Sequence, residues 1–282
     1  MNSQSGLLAE LHQEVARRLG DELDEITLQR AVVGVFFTGV ILDNGVGGMC
    51  ATPIKSIPEA VCCPSSAKVL PRPGKLRGRP AKQILNDLYA TQDMRRALAI
   101  ATLNALTETL WLRDGAPPDC SLMFGDAFQT VHYGSDDEVV LVGAFPPYMR
   151  ALRKAGQSFK VLEMDPDTLK PDEMPYYVPA AKAPEIIPHA DVLITTGTTL
   201  TNGTLESLLS WVKSNAEVAV IGPTAPLLVQ PFAERGVTIL GGTRVKAPEA
   251  LLDLLAEGAS GYHFFEDSVE RVTLHLPRRR QD

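Results

Sequence analysis

Apolar and polar positions along this chain repeat with two different periods. Leu8, Leu11, Val15 and Leu19 recur at helical spacing with charges between them, which predicts an amphipathic helix near the start. At 31–42 the pattern becomes a β-branched and aromatic run, including Val32, Val33, Val35, Phe36, Phe37, Val40 and Ile41, and predicts a strand. "DNG" at 43–45 signals a turn, and 46–52 is expected to return as the second strand of a hairpin. Gly47 and Gly48 weaken that strand and mark either a bulge or close approach by another group. Residues 53–80 are rich in Pro, Ser and basic residues and read as a long irregular loop. Residues 94–112 then read as a helix. Asp93 is its expected N-cap, Leu98, Ala101, Ala105, Thr109 and Leu112 share a face, and Gly115, Pro117 and Pro118 stop it.

From residue 138 strand and helix alternate. "EVVLVG" (138–143) is a continuous apolar run, as expected for a strand buried on both faces. Pro147 suits the first turn of the next helix and Gly156 its end. Further strands are expected at 159–163, 191–195, 217–221, 237–240 and 269–276, with helices starting near Gly203 and Pro226 and another at 248–257. A Pro-rich passage fills 166–188. Such alternation predicts parallel strands with right-handed crossovers and helices on both faces. The expected fold is therefore α/β: a Rossmann-like doubly wound parallel sheet over 126–282, preceded by a smaller α+β domain over 1–125.

Composition narrows the function. The 282 residues are 45% hydrophobic and 22% charged, typical of a globular chain with a sizeable core. A net charge of −7 argues against a general nucleic-acid surface. The basic cluster at 278–280 reads as a solvated tail. Lys75, Arg77 and Arg79 form a looser basic loop that can meet an anionic ligand. No stretch approaches 18 apolar residues, and the N-terminus lacks a signal peptide's positive start and apolar run, so the expected location is the cytoplasm without membrane contact. The four cysteines are then expected to be reduced.

Candidate chemistry gathers at the carboxyl ends of the strands, where open parallel sheets bind ligands at the point of reversed strand order. "DVLITTGTTLTNGTLESLL" (191–209) carries six threonines around an Asn-Gly pair. Thr196, Gly197, Thr198, Thr199, Thr201, Asn202, Gly203 and Thr204 suit a phosphate, carboxylate or polar headgroup, with Asn202 capping the following helix and Gly203 allowing close approach. Threonines near strand ends also satisfy backbone groups, and some here need no other role. "IGPTAPLL" (221–228), with Gly222 and Thr224, and "LGGTRV" (240–245) repeat the theme on the next two strands. With strand order 2-1-3-4-5, the threonine link and "GAFPPY" (143–148) flank the switch point. In the latter, Gly143 is the one glycine of a dinucleotide fingerprint, and Phe145 and Pro146 crowd a pyrophosphate. Glu163 ends the next strand, where dinucleotide-binding proteins place a ribose-binding carboxylate.

Cys50, Cys62 and Cys63 are candidate thiolate ligands for a soft or borderline transition metal such as copper(I) or zinc, although cysteine is also a common apolar filler. No C-x-x-C pair writes a structural zinc site. His132 and His189 lie near junctions and can face the crevice. No nucleophile elbow points to hydrolysis.

"DVLITTGTTLTNGTLESLL", "VAVIGPTAPLL" and "GVTILGGTRV" resemble the C-terminal domain of the "putative heavy-metal chelation" family, a domain of unknown function. "ALAIATLNALTETL" and "DNGVGGMCATP" are similar to the partner domain that usually precedes it. The resemblance implies an enolase N-terminal-like α+β domain, then a Rossmann-like domain, with a cleft between them and a metal-handling role. It carries no established catalytic residues. The leading expectation is a protein that binds a small anionic or metal-containing ligand in an interdomain crevice, with Gly47, Gly48 and the nearby loop closing its far side, and with a homodimer as the assembly. The competing expectation is an enzyme using NAD, an adenine nucleotide or S-adenosylmethionine on the Rossmann-like sheet.

Overall fold

A computed structural model describes residues 6–56, 72–265 and 267–278. Helix α1 (Leu7–Leu19) buries Leu11, Val15 and Leu19, the stripe its spacing predicts. A one-turn helix, α2 (Glu22–Glu25), leads into three antiparallel strands, β1 (Leu28–Val33), β2 (Phe37–Leu42) and β3 (Gly47–Ala51). The run 31–42, expected as one strand, is thus two. It folds back at Gly34, which donates its N–H to the Phe37 carbonyl at 3.0 Å. The β-branched residues on both sides hide that turn from a periodicity argument. The second turn falls where "DNG" puts it, with Gly45 at φ 80°.

Helix α3 (Ala81–Leu85) precedes α4 (Asp93–Asp114). Asp93 is the first helical residue of α4 rather than its cap, which is Gln92. Gly115 (φ 84°) ends α4 as expected. Leu98, Ala101, Ala105 and Thr109 are buried, whereas Leu112, near the end of the helix, is 63% exposed.

The second sheet has eight strands: β4 (Ser121–Phe124), β5 (Val139–Val142), β6 (Phe159–Glu163), β7 (Tyr177–Pro179), β8 (Val192–Thr196), β9 (Glu217–Ile221), β10 (Ile239–Val245) and β11 (Val269–His275). Their order is β4-β11-β10-β9-β8-β5-β6-β7. All pairs from β7 across to β10 are parallel, and β10–β11 and β11–β4 are antiparallel. The helices are α5 (Pro146–Ala155), α6 (Ala183–Ile186), α7 (Thr198–Thr201), α8 (Leu205–Ser210), α9 (Val229–Ala233), α10 (Pro248–Ala256) and α11 (Gly261–Phe264). Val139–Val142 are all buried, as the continuous apolar run requires. Counted from β5, the parallel part runs 3-2-1-4-5-6 rather than 2-1-3-4-5. The added edge strand is β7, inside the Pro-rich passage; three residues ending in proline give no alternation to read. The reversal of order still falls between β5 and β8, and that fixes where the site is sought.

The two sheets share elements of packing. The β1–β3 sheet is covered on one face by α4 and on the other by α10, so β2 and β3 are buried on both sides. Gly48 and Gly39 permit this. A Cβ on Gly48 would lie 2.3 Å from the Ala101 carbonyl oxygen and the Ala105 nitrogen of α4, and one on Gly39 would meet Leu255 of α10 at 2.8 Å. The β2–β3 register runs without a shift, so the glycine pair in β3 marks close approach and not a bulge. Arg30 of β1 pairs with Glu249 and Asp253 of α10, each at 2.7 Å. Arg244 of β10 pairs with Glu108 of α4 at 2.7 Å.

Candidate functional site

The threonine link splits into two groups with different jobs. Thr195, Thr199 and Thr201 are buried. Thr199 Oγ1 donates to the Thr196 carbonyl at 2.6 Å, and Thr201 Oγ1 lies 3.5 Å from Cys50 Sγ. Thr224, at the tip of β9, is buried too, and its Oγ1 accepts the Ala51 N–H at 3.0 Å. Asn104 of α4 donates from its amide to the Met49 carbonyl at 2.8 Å and to the Pro223 and Thr224 carbonyls. Arg96 of α4 donates to the Thr201 carbonyl. These tips therefore seal against the β1–β3 module. Gly197 belongs with them: its N–H donates to the Ile221 carbonyl at 2.9 Å, and a Cβ there would meet Thr224 at 3.2 Å. Gly197 and Thr224, expected as ligand contacts, line neither of the cavities described next.

The other group, with Thr199 shared between the two, opens onto a cavity of about 370 Å³ beside the ends of β5, β6 and β8. Gly143, Glu163, Thr196, Thr198, Thr199, Asn202, Gly203 and Thr204 line it, so eight of the expected residues converge. Gly143 takes φ 94°, and a Cβ on it would come 2.9 Å from Thr196 Cγ2, which explains the glycine. Asn202 Oδ1 accepts the Thr204 N–H at 3.1 Å and its hydroxyl at 2.7 Å. Asn202 thus closes an Asx turn ahead of α8 rather than capping that helix as expected, since its N-cap is Thr204 and no side chain caps it among the described residues, and Gly203 (φ 75°) completes the turn. Trp211, Leu208, Leu162 and Ser207 add walls that the sequence reading missed. Trp211 and Leu208 follow the link on the next helix, where their periodicity reads simply as core.

Glu163 is the one charged residue lining this cavity among those described. Its carboxylate accepts the N–H groups of Ala144 (3.1 Å), Met164 (2.8 Å) and Asp165 (3.3 Å). It ties the β5 and β6 tips together, which takes up most of the acceptor capacity a ribose would use. The phosphate-binding half is also missing. Pro146 and Pro147 open α5 and remove two N–H donors. Phe145 stacks on Tyr148 at 4.9 Å, and Tyr148 on Phe128 at 4.3 Å, forming a ridge where a pyrophosphate would lie. Phe145, Pro146 and Gly222 line a second cavity, of about 230 Å³, over the ends of β9 and β10.

A family model described as "Putative heavy-metal chelation" (DUF364) matches residues 126–274, and a second with the same description (DUF4213) matches residues 16–107. The chain belongs to this family. An uncharacterized protein of Methanocaldococcus jannaschii is 24% identical over 197 residues, 69% of this chain and 71% of that protein. Two crystal structures of DUF364 proteins of unknown function share the fold. That from Pyrococcus horikoshii has a TM-score of 0.73 at 18% identity, covering 96% of this chain and all (100%) of its own. That from Desulfitobacterium hafniense has a TM-score of 0.70 at 19% identity, covering 95% and 98%.

Metal chelation requires deprotonated donors that converge. Among the described residues of this DUF364 chain, no three His, Cys, Asp or Glu do so. Cys50, expected as a ligand, is fully buried between β3 and the β8 and β9 tips, and burial pushes its thiol from an ordinary 9.0 up to about 12. It does not fit a metal site. Cys62 and Cys63 lie outside the described residues. Gly47 and Gly48, expected to close the crevice, are buried under α10 and α4 and line neither cavity. His132, His189, Lys75, Arg77 and Arg79 line neither as well. No helix among the described residues is long and apolar enough to cross a membrane.

The Cys50 shift has a measurable consequence. The folded state favours the neutral thiol, so its contribution to stability is complete below pH 9.0 and declines as pH rises toward 12. Cys50→Ser keeps a hydroxyl that stays neutral and should lose this part of the alkaline decline. Urea unfolding at about pH 8 and about pH 10.5 measures it; equal declines in both proteins would refute the assignment.

Proposed function

We propose that this protein binds a small, uncharged, hydroxyl-bearing molecule with a flat apolar part in the cavity beside β5, β6 and β8. The observation that carries the reading is that Thr196, Thr198, Asn202 and Thr204 line one cavity together with Trp211 and Leu208, with no lysine, arginine or histidine lining it among the described residues. Hydroxyls and an amide can donate to and accept from such a ligand, and the indole gives it a face to stack on. The missing cation turns the reading away from the anion expected from sequence. Heavy-metal handling is the second reading and rests on the family description. In this reading oxygen donors alone are a poor match for a soft ion, and the metal travels inside an organic complex that is itself the ligand.

Native mass spectrometry of untagged protein, followed by elemental analysis, tests both. Tryptophan quenching adds a site-specific measure, since the chain has two tryptophans and Trp111 is 5% exposed. A bound nucleoside or sugar is expected to protect Trp211 from acrylamide. Thr198→Val and Asn202→Ala should each weaken that ligand about tenfold, close to 1.4 kcal/mol. A bare chain mass, together with unchanged quenching across nucleosides and sugars, would sink the reading.

A further inference from the structure

The second cavity carries two opposite charges that do not pair with each other. Asp126 and Arg271 both line it, beside Phe145, Tyr148, Thr243 and Phe265. Gly125, next to Asp126, donates its N–H to the Arg271 carbonyl at 3.0 Å, so the two side chains spring from neighbouring backbone. The Asp126 carboxylate is fixed on one oxygen: Oδ1 accepts the Phe128 N–H at 3.1 Å and the Tyr148 hydroxyl at 2.7 Å. Oδ2 has no hydrogen-bond partner among the described residues. The Arg271 guanidinium lies 3.9 Å from the centre of the Phe265 ring and has no ion-pair partner among the described residues. Burial and the adjacent Asp126 charge hold the Tyr148 phenol far above the ordinary range, so it remains a donor that orients the carboxylate.

A guanidinium and a carboxylate at one small cavity, each with free hydrogen-bonding capacity, are complementary to a ligand that carries both charges. A phosphate dianion would meet the Asp126 charge, and a simple amine would leave Arg271 unanswered. The cavity volume of about 230 Å³ is below the range of drug-sized sites, which limits the ligand to one small molecule. We propose that this cavity binds a small zwitterion of the amino-acid class, its ammonium on Asp126, its carboxylate on Arg271 and its apolar side chain between Phe145 and Phe265. The site is separate from the first cavity, and its test does not depend on that cavity's ligand.

Isothermal titration of the full-length protein with leucine and phenylalanine, their methyl esters and their N-acetyl derivatives tests the assignment. The free amino acids should bind, and the ester and the N-acetyl form should each bind at least about tenfold more weakly. Asp126→Asn keeps an oxygen for the Phe128 N–H and the Tyr148 hydroxyl, and Arg271→Gln keeps an aliphatic stem over Phe265. R271Q should abolish the preference for free acid over ester while retaining the preference for free amine. D126N should do the reverse. A purely structural role for either residue would not produce these crossed losses. The proposal is overturned if neither free amino acid binds, if the derivatives bind as well as the parents, or if both preferences survive in both variants. Should a variant fail to fold, the ligand series on the wild-type protein still decides.

Discussion

Gly48→Ala should lower the melting temperature by about 10 °C, the largest effect expected from a single added methyl group. Its Cβ would sit 2.3 Å from two backbone atoms of α4, Ala101 O and Ala105 N. Neither belongs to a side chain that can swing away. Relief requires α4 and β3 to separate, and both are packed on their other sides. Overpacking of a core costs about 1–3 kcal/mol, and a backbone clash belongs at the upper end. For a chain of this size each kcal/mol moves the melting temperature by about 2–4 °C. Gly45→Ala, in the exposed β2–β3 turn, is the useful comparison: it has φ 80° but nothing within 4 Å of its Cβ. Calorimetry of the two variants separates steric from conformational cost. A Gly48→Ala protein that melts with Gly45→Ala would show that α4 does not rest directly on β3.

Glu108→Ala should cost about 3 kcal/mol, the low end for breaking a buried ion pair. The Arg244 guanidinium engages both Glu108 oxygens, at 2.7, 2.8 and 3.1 Å, and lies 5.1 Å from the Trp111 ring centre. The side chains are only 23% and 10% exposed, so solvent cannot replace the missing partner. Truncating the glutamate leaves a cation wedged between α4 and β10. The pair itself need not be strongly stabilising, because its desolvation offsets much of the attraction. The double variant Glu108→Met with Arg244→Met should therefore recover most of the loss. Urea unfolding of the wild type, Glu108→Met, Arg244→Met and the double variant closes the cycle. Simple additivity of the two single substitutions would remove this contact from the account of how the modules are joined. A second transition in Glu108→Ala would show that they unfold separately once it is broken.

The parts of this architecture written in local sequence were legible. The apolar run at Val139–Val142, the Pro-opened and Gly-closed α5, and the "DNG" turn each depend on residues within a few positions. The reversal point beside the threonine link was read from an assumed strand order, and it survives the extra edge strand β7 that the assumption lacked. What was hidden depends on distant partners. Thr201 and Thr224 look like ligand hydroxyls until Cys50 and Ala51 are brought against them from another module. Gly47 and Gly48 announce a close approach without saying to what. Asp126 and Arg271 passed unremarked, one in a loop and the other in the polar phase of a strand, because only the β4–β11 pairing makes them neighbours. The crevice between modules was expected to hold the ligand. Asn104, Arg96 and Trp111 close that seam at the strand tips, with the cavity of the threonine link beside it, while a cavity of about 780 Å³ does lie between the modules, lined by Arg17 and Asp114 on one side and Gln230 and Pro231 on the other.

The position of α10 also bears on how the chain is made. This helix covers one face of β2, yet the ribosome delivers it roughly 200 residues after β2. At about 5–20 residues per second, the first sheet waits many seconds with Val32, Phe37 and Met49 bare until α10 emerges. The amino-terminal module is therefore a poor candidate for expression on its own, since the helix that covers one of its faces is encoded within the second module.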